Sequence, residues 1–146
     1  MKREYVSLST YVNQTLIMKV KIDTKEKFYV ITLMEPILSD NIAADLAQLV
    51  TKFLQQQIRN VVLKLRDVEI IEAKGAEELA QIQQLFYENN ASFVICEIKK
   101  PVEKKLEELE LHEVMNITPT ESEAWDIIQM EEIERELLDN ETGEVS

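Results

Sequence analysis

VVLKLRDVEIIEAKGAEELAQIQQLFYENNASFVICEI, residues 61–98, is the stretch that decides the fold class of this chain. Residues 61–65 are β-branched or leucine apart from Lys64, and they stop at Arg66 and Asp67, the signature of a short inner strand. Beyond Gly75, the residues Ala76, Leu79, Ala80, Ile82 and Phe86 recur at helical spacing, and Asn89 and Asn90 close the stripe. Residues 92–98 then repeat the strand pattern around Cys96. Strand, helix and strand in that order place the two strands parallel, joined by a helical crossover.

The same reading extends outward in both directions. Upstream, residues 5–12 and 16–22 alternate weakly, the second run placing Leu16, Met18, Val20 and Ile22 opposite Lys19 and Lys21. FYVITLM at 28–34 is apolar on both faces, which suits a central strand covered on two sides. Ser39 caps a helix expected over 40–57, whose stripe is Ile42, Leu46, Leu49, Val50, Phe53 and Leu54. Downstream, Pro101 sits at the start of a third helix carrying Val102, Leu106 and Leu109, and VMNI at 114–117 reads as a further strand. Thr120 and Glu123 have capping-box spacing and open the fourth and longest helix, with Ala124, Ile127, Ile128, Ile133 and Leu137 as its apolar stripe.

The predicted fold class is therefore α/β, a small mixed β-sheet with flanking helices, in one domain over residues 16–138. Residues 1–15 are expected to form an N-terminal extension or an extra edge strand, with pairing between protomers of a homodimer left open. Residues 139–146, DNETGEVS, lack an apolar period and are expected to form an acidic, flexible tail.

With 146 residues, 45% apolar and 30% charged, the chain is long enough to bury one core, roughly two-thirds of its unfolded surface. Its one cysteine excludes an intrachain disulfide, which fits a cytoplasmic location. The longest apolar run near the start has seven residues, short of the about 20 that a membrane helix needs, and no export signal is read there. Net charge is −12, and residues 121–146 hold ten acids against Arg135 alone, or −9, so the first 120 residues carry only −3. No cluster of Lys and Arg attracts phosphate backbones or anionic lipid, and nucleic acid and membrane are not expected partners.

Catalytic patterns are missing as well. Glycines at 75 and 143 alone cannot write GxxxxGK or GxGxxG. His112 is the single histidine, expected in the last turn of the third helix, where it complements the negative dipole end; a His-rich metal site is excluded. Cys96, among Phe93, Val94, Ile95 and Ile98, reads as a buried small hydrophobe and not a nucleophile. Glu131, Glu132, Glu134 and Glu136 have no EF-hand-like spacing and read as a solvated helix face, while Trp125 reads as a core residue, with an interface patch shared with Ile128 as the alternative. No catalytic residue, metal or cofactor is expected, and the chain is not read as an enzyme.

One turn breaks the local rules. EAKG at 72–75 lies between an inner strand and a helix, where parallel sheets gather ligands and modifications. Ala73 is a poor cap, and Lys74 sets a cation at the positive end of a helix dipole, at a cost of about 0.3–1 kcal/mol. Glu77 and Glu78, expected in the first turn, offset it.

Together with SFVICEIKKPVEKKLEELELHEVMNITPTESEAWDII at 92–128, the stretch VVLKLRDVEIIEAKGAEEL resembles the STAS domain of bacterial anti-sigma factor antagonists, over about residues 18–138. That family carries Asp-Ser-Ser-Gly at this turn. By resemblance Glu72 takes the place of the aspartate, Ala73 that of the phosphorylated serine, Lys74 that of the second serine and Gly75 that of the glycine. The resemblance implies a partner that is an anti-sigma factor of the serine-kinase type, or another STAS or regulatory protein. It also implies a switch in which phosphate on the first serine ends binding. Alanine has no hydroxyl to receive the roughly −1.5 to −2 charge of a phosphate, so that switch is expected to be lost. The expected partner-binding set is Glu72, Ala73, Lys74, Gly75, Glu77, Glu78 and Ser39. Binding is then either constitutive, or redirected to a changed partner by the charges of Lys74, Glu77 and Glu78. The alternative from another class is a small-anion or nucleotide site that uses Lys74 at the helix N-terminus.

Overall fold

The computed structural model describes residues 2–7 and 18–142, with side chains for residues 18–139. A six-stranded sheet runs in the order β1-β2-β3-β5-β7-β8. Its strands are β1 (Lys2–Ser7), β2 (Lys19–Thr24), β3 (Phe28–Leu33), β5 (Asn60–Lys64), β7 (Phe93–Cys96) and β8 (Asn116–Thr118). β1, β2 and β3 pair antiparallel; β3, β5, β7 and β8 pair parallel. The mixed α/β sheet read from the sequence is thus the observed one, with β3 and β5 at its centre. β1 is an edge strand over 2–7 where the alternation predicted 5–12, and residues 8–15 of the expected extension lie outside the described residues.

Two layers of helix cover the sheet because the inner strands are apolar on both faces. On one face Ile31, Leu33, Val61, Leu63, Phe93 and Ile95 join a core with α1 (Asp40–Phe53), α2 (Ala73–Glu88) and α3 (Lys100–Glu108). On the other, Phe28, Val30, Val62, Val94 and Cys96 meet Ala124 and Ile128 of α4 (Glu121–Thr142). The period of two along each strand does this sorting. Trp125 completes the second core by stacking on Phe28, ring centroids 5.1 Å apart at 19°. Pro101 stands in the first turn of α3, and Thr120 Oγ1 accepts from the Glu123 backbone N–H at 3.2 Å, as the capping-box spacing requires.

The structure corrects several boundaries. α1 is capped by the Ser39 side chain, which accepts from the Ile42 N–H at 3.3 Å, but it ends at Phe53 and gives way to tighter i→i−3 turns through Gln56. His112 is not in α3. It is exposed in a separate 3-10 turn, His112–Val114, after the helix has ended at Glu108. α4 continues to Thr142, so its last turn occupies residues expected in the tail; residues 143–146 lie outside the described ones. A small parallel ladder unforeseen in the sequence joins β4 (Ile37–Leu38) to β6 (Ile70–Ile71), with Ile37 opposite Ile70 and Leu38 opposite Ile71.

Candidate functional site

The β4–β6 ladder brings the two chain segments of the candidate site together. Glu69 and Ile70 donate their N–H groups to the Pro36 carbonyl, and the Glu72 N–H reaches the Leu38 carbonyl at 3.0 Å. Chain 36–39 and chain 69–75 therefore form one surface at the mouth of α2. Ser39 and the motif Glu72, Ala73, Lys74, Gly75 meet there, as the sequence reading grouped them. Leu38 and Ile71 point into the core, and their neighbours Ile37 and Ile70 lie on the other side of the ladder, 43% and 55% exposed. Two isoleucines side by side at a surface are the apolar component of this site, and no periodic signal in the sequence singles them out.

α2 starts earlier than the sequence reading placed it. Glu72 is the N-cap residue, in extended conformation with no side-chain cap hydrogen bond, and Ala73, Lys74 and Gly75 already make the first turn. Glu77 and Glu78 consequently fall in the second turn, and the first turn has no acid to offset Lys74. An apolar residue in the cap's neighbourhood and a carboxylate cap that does not close explain why the boundary was hidden. Lys74 is exposed and makes no ion pair among the described residues, whereas Glu69 nearby pairs with Lys99. Ala73 is half-buried, and Glu72 and Glu77 are exposed.

Gly75 is buried because the first turn of α2 presses on the segment that leads into α1. A Cβ built on it would lie 2.5 Å from the Leu38 carbonyl oxygen and 3.3 Å from that of Ser39. This is a requirement for close approach of two backbones, not for an unusual φ, since no glycine among the described residues has a positive φ.

The hydroxyls nearest in interest do different work. Ser39 Oγ is occupied as the α1 cap. Ser92 lies at the other end of the parallel strands, is 1% exposed, and donates to Glu131 Oε1 at 2.6 Å. Around it a polar network closes the N-terminal ends of β5, β7 and β8. Asn60 donates to Glu132 at 2.8 Å and accepts from the Ser92 N–H at 2.9 Å. Asn116 donates to the second oxygen of Glu131 at 2.9 Å, and Arg135 donates to the Ser92 hydroxyl at 3.3 Å. Glu131 and Glu132 are thus bound to the sheet, which corrects their reading as a solvated face; Glu134 and Glu136 are exposed.

At the C-terminal ends, Lys64 bridges Glu121 at 2.9 Å and Glu97 at 3.6 Å. Burial works against its charge, but the hydrogen bond and the attraction of Glu121, helped by Glu97, hold the ammonium above its ordinary range. Burial pushes the Cys96 thiol up to about 12, reinforced by Glu97, so the side chain is a packed thiol with no thiolate at neutral pH. No group of three or more His, Cys, Asp or Glu among the described residues is placed to hold a metal ion, and no helix among them is long and apolar enough to cross a membrane.

Comparison with known proteins gives this geometry a family. Residues 19–124 match the STAS domain model. Among solved structures, a protein of Thermotoga maritima assigned as an anti-sigma factor antagonist is 23% identical, with TM-score 0.63, 74% of this chain covered and 92% of that one. An anti-sigma factor antagonist from Mycobacterium paratuberculosis is 14% identical, with TM-score 0.66 and coverage of 77% and 94%. The anti-sigma factor antagonist SpoIIAA in its unphosphorylated form is 14% identical, with TM-score 0.60 and coverage of 75% and 96%. At these identities the likeness is one of fold. No curated protein matches the chain.

Proposed function

The chain belongs to the STAS domain family, and we propose that it is a non-enzymatic protein-docking module of the anti-sigma factor antagonist kind whose binding is not switched by phosphate at the mouth of α2. The observation that carries this reading is Ala73: a methyl group stands in the first turn of α2 at the position the resemblance assigns to the phospho-acceptor, beside the exposed pair Ile37 and Ile70. An exposed apolar pair on the ladder that leads directly into the charged residues Glu72 and Lys74 has the make-up of a docking surface: an apolar centre and a polar edge. The partner is a cytoplasmic anti-sigma factor of the serine-kinase type or another regulatory protein. Lys74, Glu77 and Glu78 set which of these is accepted, through charges that a mismatched partner cannot pair.

The rival reading, an anion or nucleotide site, draws on Lys74 at an uncapped helix start. Residues 69–78 contain four acids against that one lysine, so the local charge repels an anion, and a lone ammonium is a weak anion holder. Thermal shift with phosphate and with ATP separates the two. No stabilisation is expected, and one that disappears in Lys74→Ala supports the rival.

The test of the main reading is affinity isolation of the tagged chain from its source cell, in parallel with Ile37→Asp and Ile70→Asp. A partner retained by the native chain and lost from both variants supports docking at this mouth. A partner retained equally by all three places docking elsewhere and removes the reading.

A further inference from the structure

α4 changes character halfway along its length. In its first half the sheet-facing side is apolar: Ala124 and Ile128 are fully buried and Trp125 packs beside them. In its second half the sheet-facing side is polar. Glu131, Glu132 and Arg135 are the half-buried residues, held by Ser92, Asn116 and Asn60. The apolar residues of that half face outward: Met130, Ile133 and Leu137, at spacings of three and four, are 57%, 56% and 56% exposed. The helix is thus inverted, polar inside and apolar outside, and the sequence's expectation that Ile133 and Leu137 continue the core stripe fails for this reason. A cleft of about 720 Å³ opens beside the stripe between the end of α2 and α4, and Tyr87, 75% exposed, stands on its wall with Leu137.

Hydrogen bonds to three parallel strands fix this half of the helix, so the stripe is presented on a firm support. Exposed apolar rows of this kind mark interaction surfaces. The charge around it specifies the occupant. Asp126 and Glu134 lie on the same outward side by helical spacing, the exposed Glu123 stands on that side two turns before the stripe, and Arg135, the only base after residue 120, is turned to Ser92. A second copy docking stripe to stripe brings acid against acid. We propose that the outward stripe of α4 is a second docking surface, independent of the α2 mouth, that takes a basic amphipathic helix: apolar residues at i, i+3 and i+7 against Met130, Ile133 and Leu137, and flanking Lys or Arg against the acids.

The probe is a labelled 18-residue amphipathic peptide of leucine and lysine, with a leucine and glutamate peptide of identical pattern as control. Binding is read by fluorescence anisotropy at about 0.15 M salt, where long-range attraction between exposed charges is largely screened. The lysine peptide is expected to bind and the glutamate peptide to show no binding. The triple variant Met130→Ser, Ile133→Ser, Leu137→Ser keeps every charge and is expected to weaken binding at least tenfold, while Ile37→Asp with Ile70→Asp leaves it unchanged. Asp126→Lys with Glu134→Lys is expected to weaken it independently. Equal binding by the triple variant reduces the interaction to bulk charge and overturns the proposal. So does sedimentation showing a dimer of the native chain that the triple variant dissolves, since the occupant is then a second copy.

Discussion

Gly75 packs against the Leu38 carbonyl where the two segments of the α2 mouth meet: a methyl group in place of its hydrogen would lie 2.5 Å from that oxygen. In an open helix Gly→Ala stabilises by about 0.5–1 kcal/mol. Here the sign is expected to reverse. Gly75→Ala should lower the unfolding free energy by about 1–3 kcal/mol, the usual cost of overpacking, read as a fall in the denaturant midpoint at constant slope. A midpoint that rises would show that the two segments separate freely.

Thr32 is 1% exposed, and its Oγ1 has no hydrogen-bond partner among the described residues. An unsatisfied buried hydroxyl costs about 1–3 kcal/mol, and valine keeps the shape without the polar atom. Thr32→Val should therefore stabilise the fold by about 1 kcal/mol in equilibrium urea unfolding. A destabilised variant would mean that the hydroxyl is used.

Asn60 serves three partners at once: the Lys27 carbonyl, Glu132 and the buried Ser92 N–H. Asn60→Ala should cost about 1–3 kcal/mol, most of it from stranded partners, and should speed amide exchange in the second half of α4 more than in the first. Uniform exchange along the helix would show that its distal half is not held by this network.

Cys96 gives the pH behaviour. Its thiol is raised from 9.0 to about 12 in the folded chain, so the folded state keeps a proton that the unfolded state loses between those values. The resulting stability is fully present below pH 9 and is lost as pH rises toward 12. Lys64, held above its ordinary range, acts in the same direction, since its ion pairs vanish when it deprotonates. Unfolding free energy should fall steadily above pH 9, and Cys96→Ser or Cys96→Ala should flatten part of that slope. Iodoacetamide should leave the native thiol intact at pH 8 and label it only on unfolding.

How far the sequence reached can be read from which interactions have a period. β3, β5 and β7, buried on both faces, announce themselves as continuous apolar runs, and α2 shows its stripe from Ala76 to Phe86. A two-residue ladder has no period to detect, so β4 and β6 stayed hidden, and with them the exposed Ile37–Ile70 pair that defines the site's apolar centre. The start of α2 was missed because Glu72 caps by backbone alone. The inversion of α4 is already written in the spacing: Ile133 and Leu137 stand nine residues after Ala124 and Ile128, half a turn round the helix, so they leave the core stripe, and the polar residues Asn60, Ser92 and Asn116 at the heads of the parallel strands take the sheet-facing side instead. The turn from Glu72 to Gly75 stands out in the sequence because it breaks local rules, whereas Ser39 is marked there only as a helix cap.

The central claim is tested most directly by restoring one oxygen. With the isolated partner, or with its kinase and ATP, the native chain and Ala73→Ser are compared by co-sedimentation and phosphopeptide mapping. The native chain is expected to stay bound and unmodified, while Ala73→Ser takes up phosphate at residue 73 and releases its partner. Release of the native chain by ATP, or a phosphorylated Ala73→Ser that remains bound, would contradict the account.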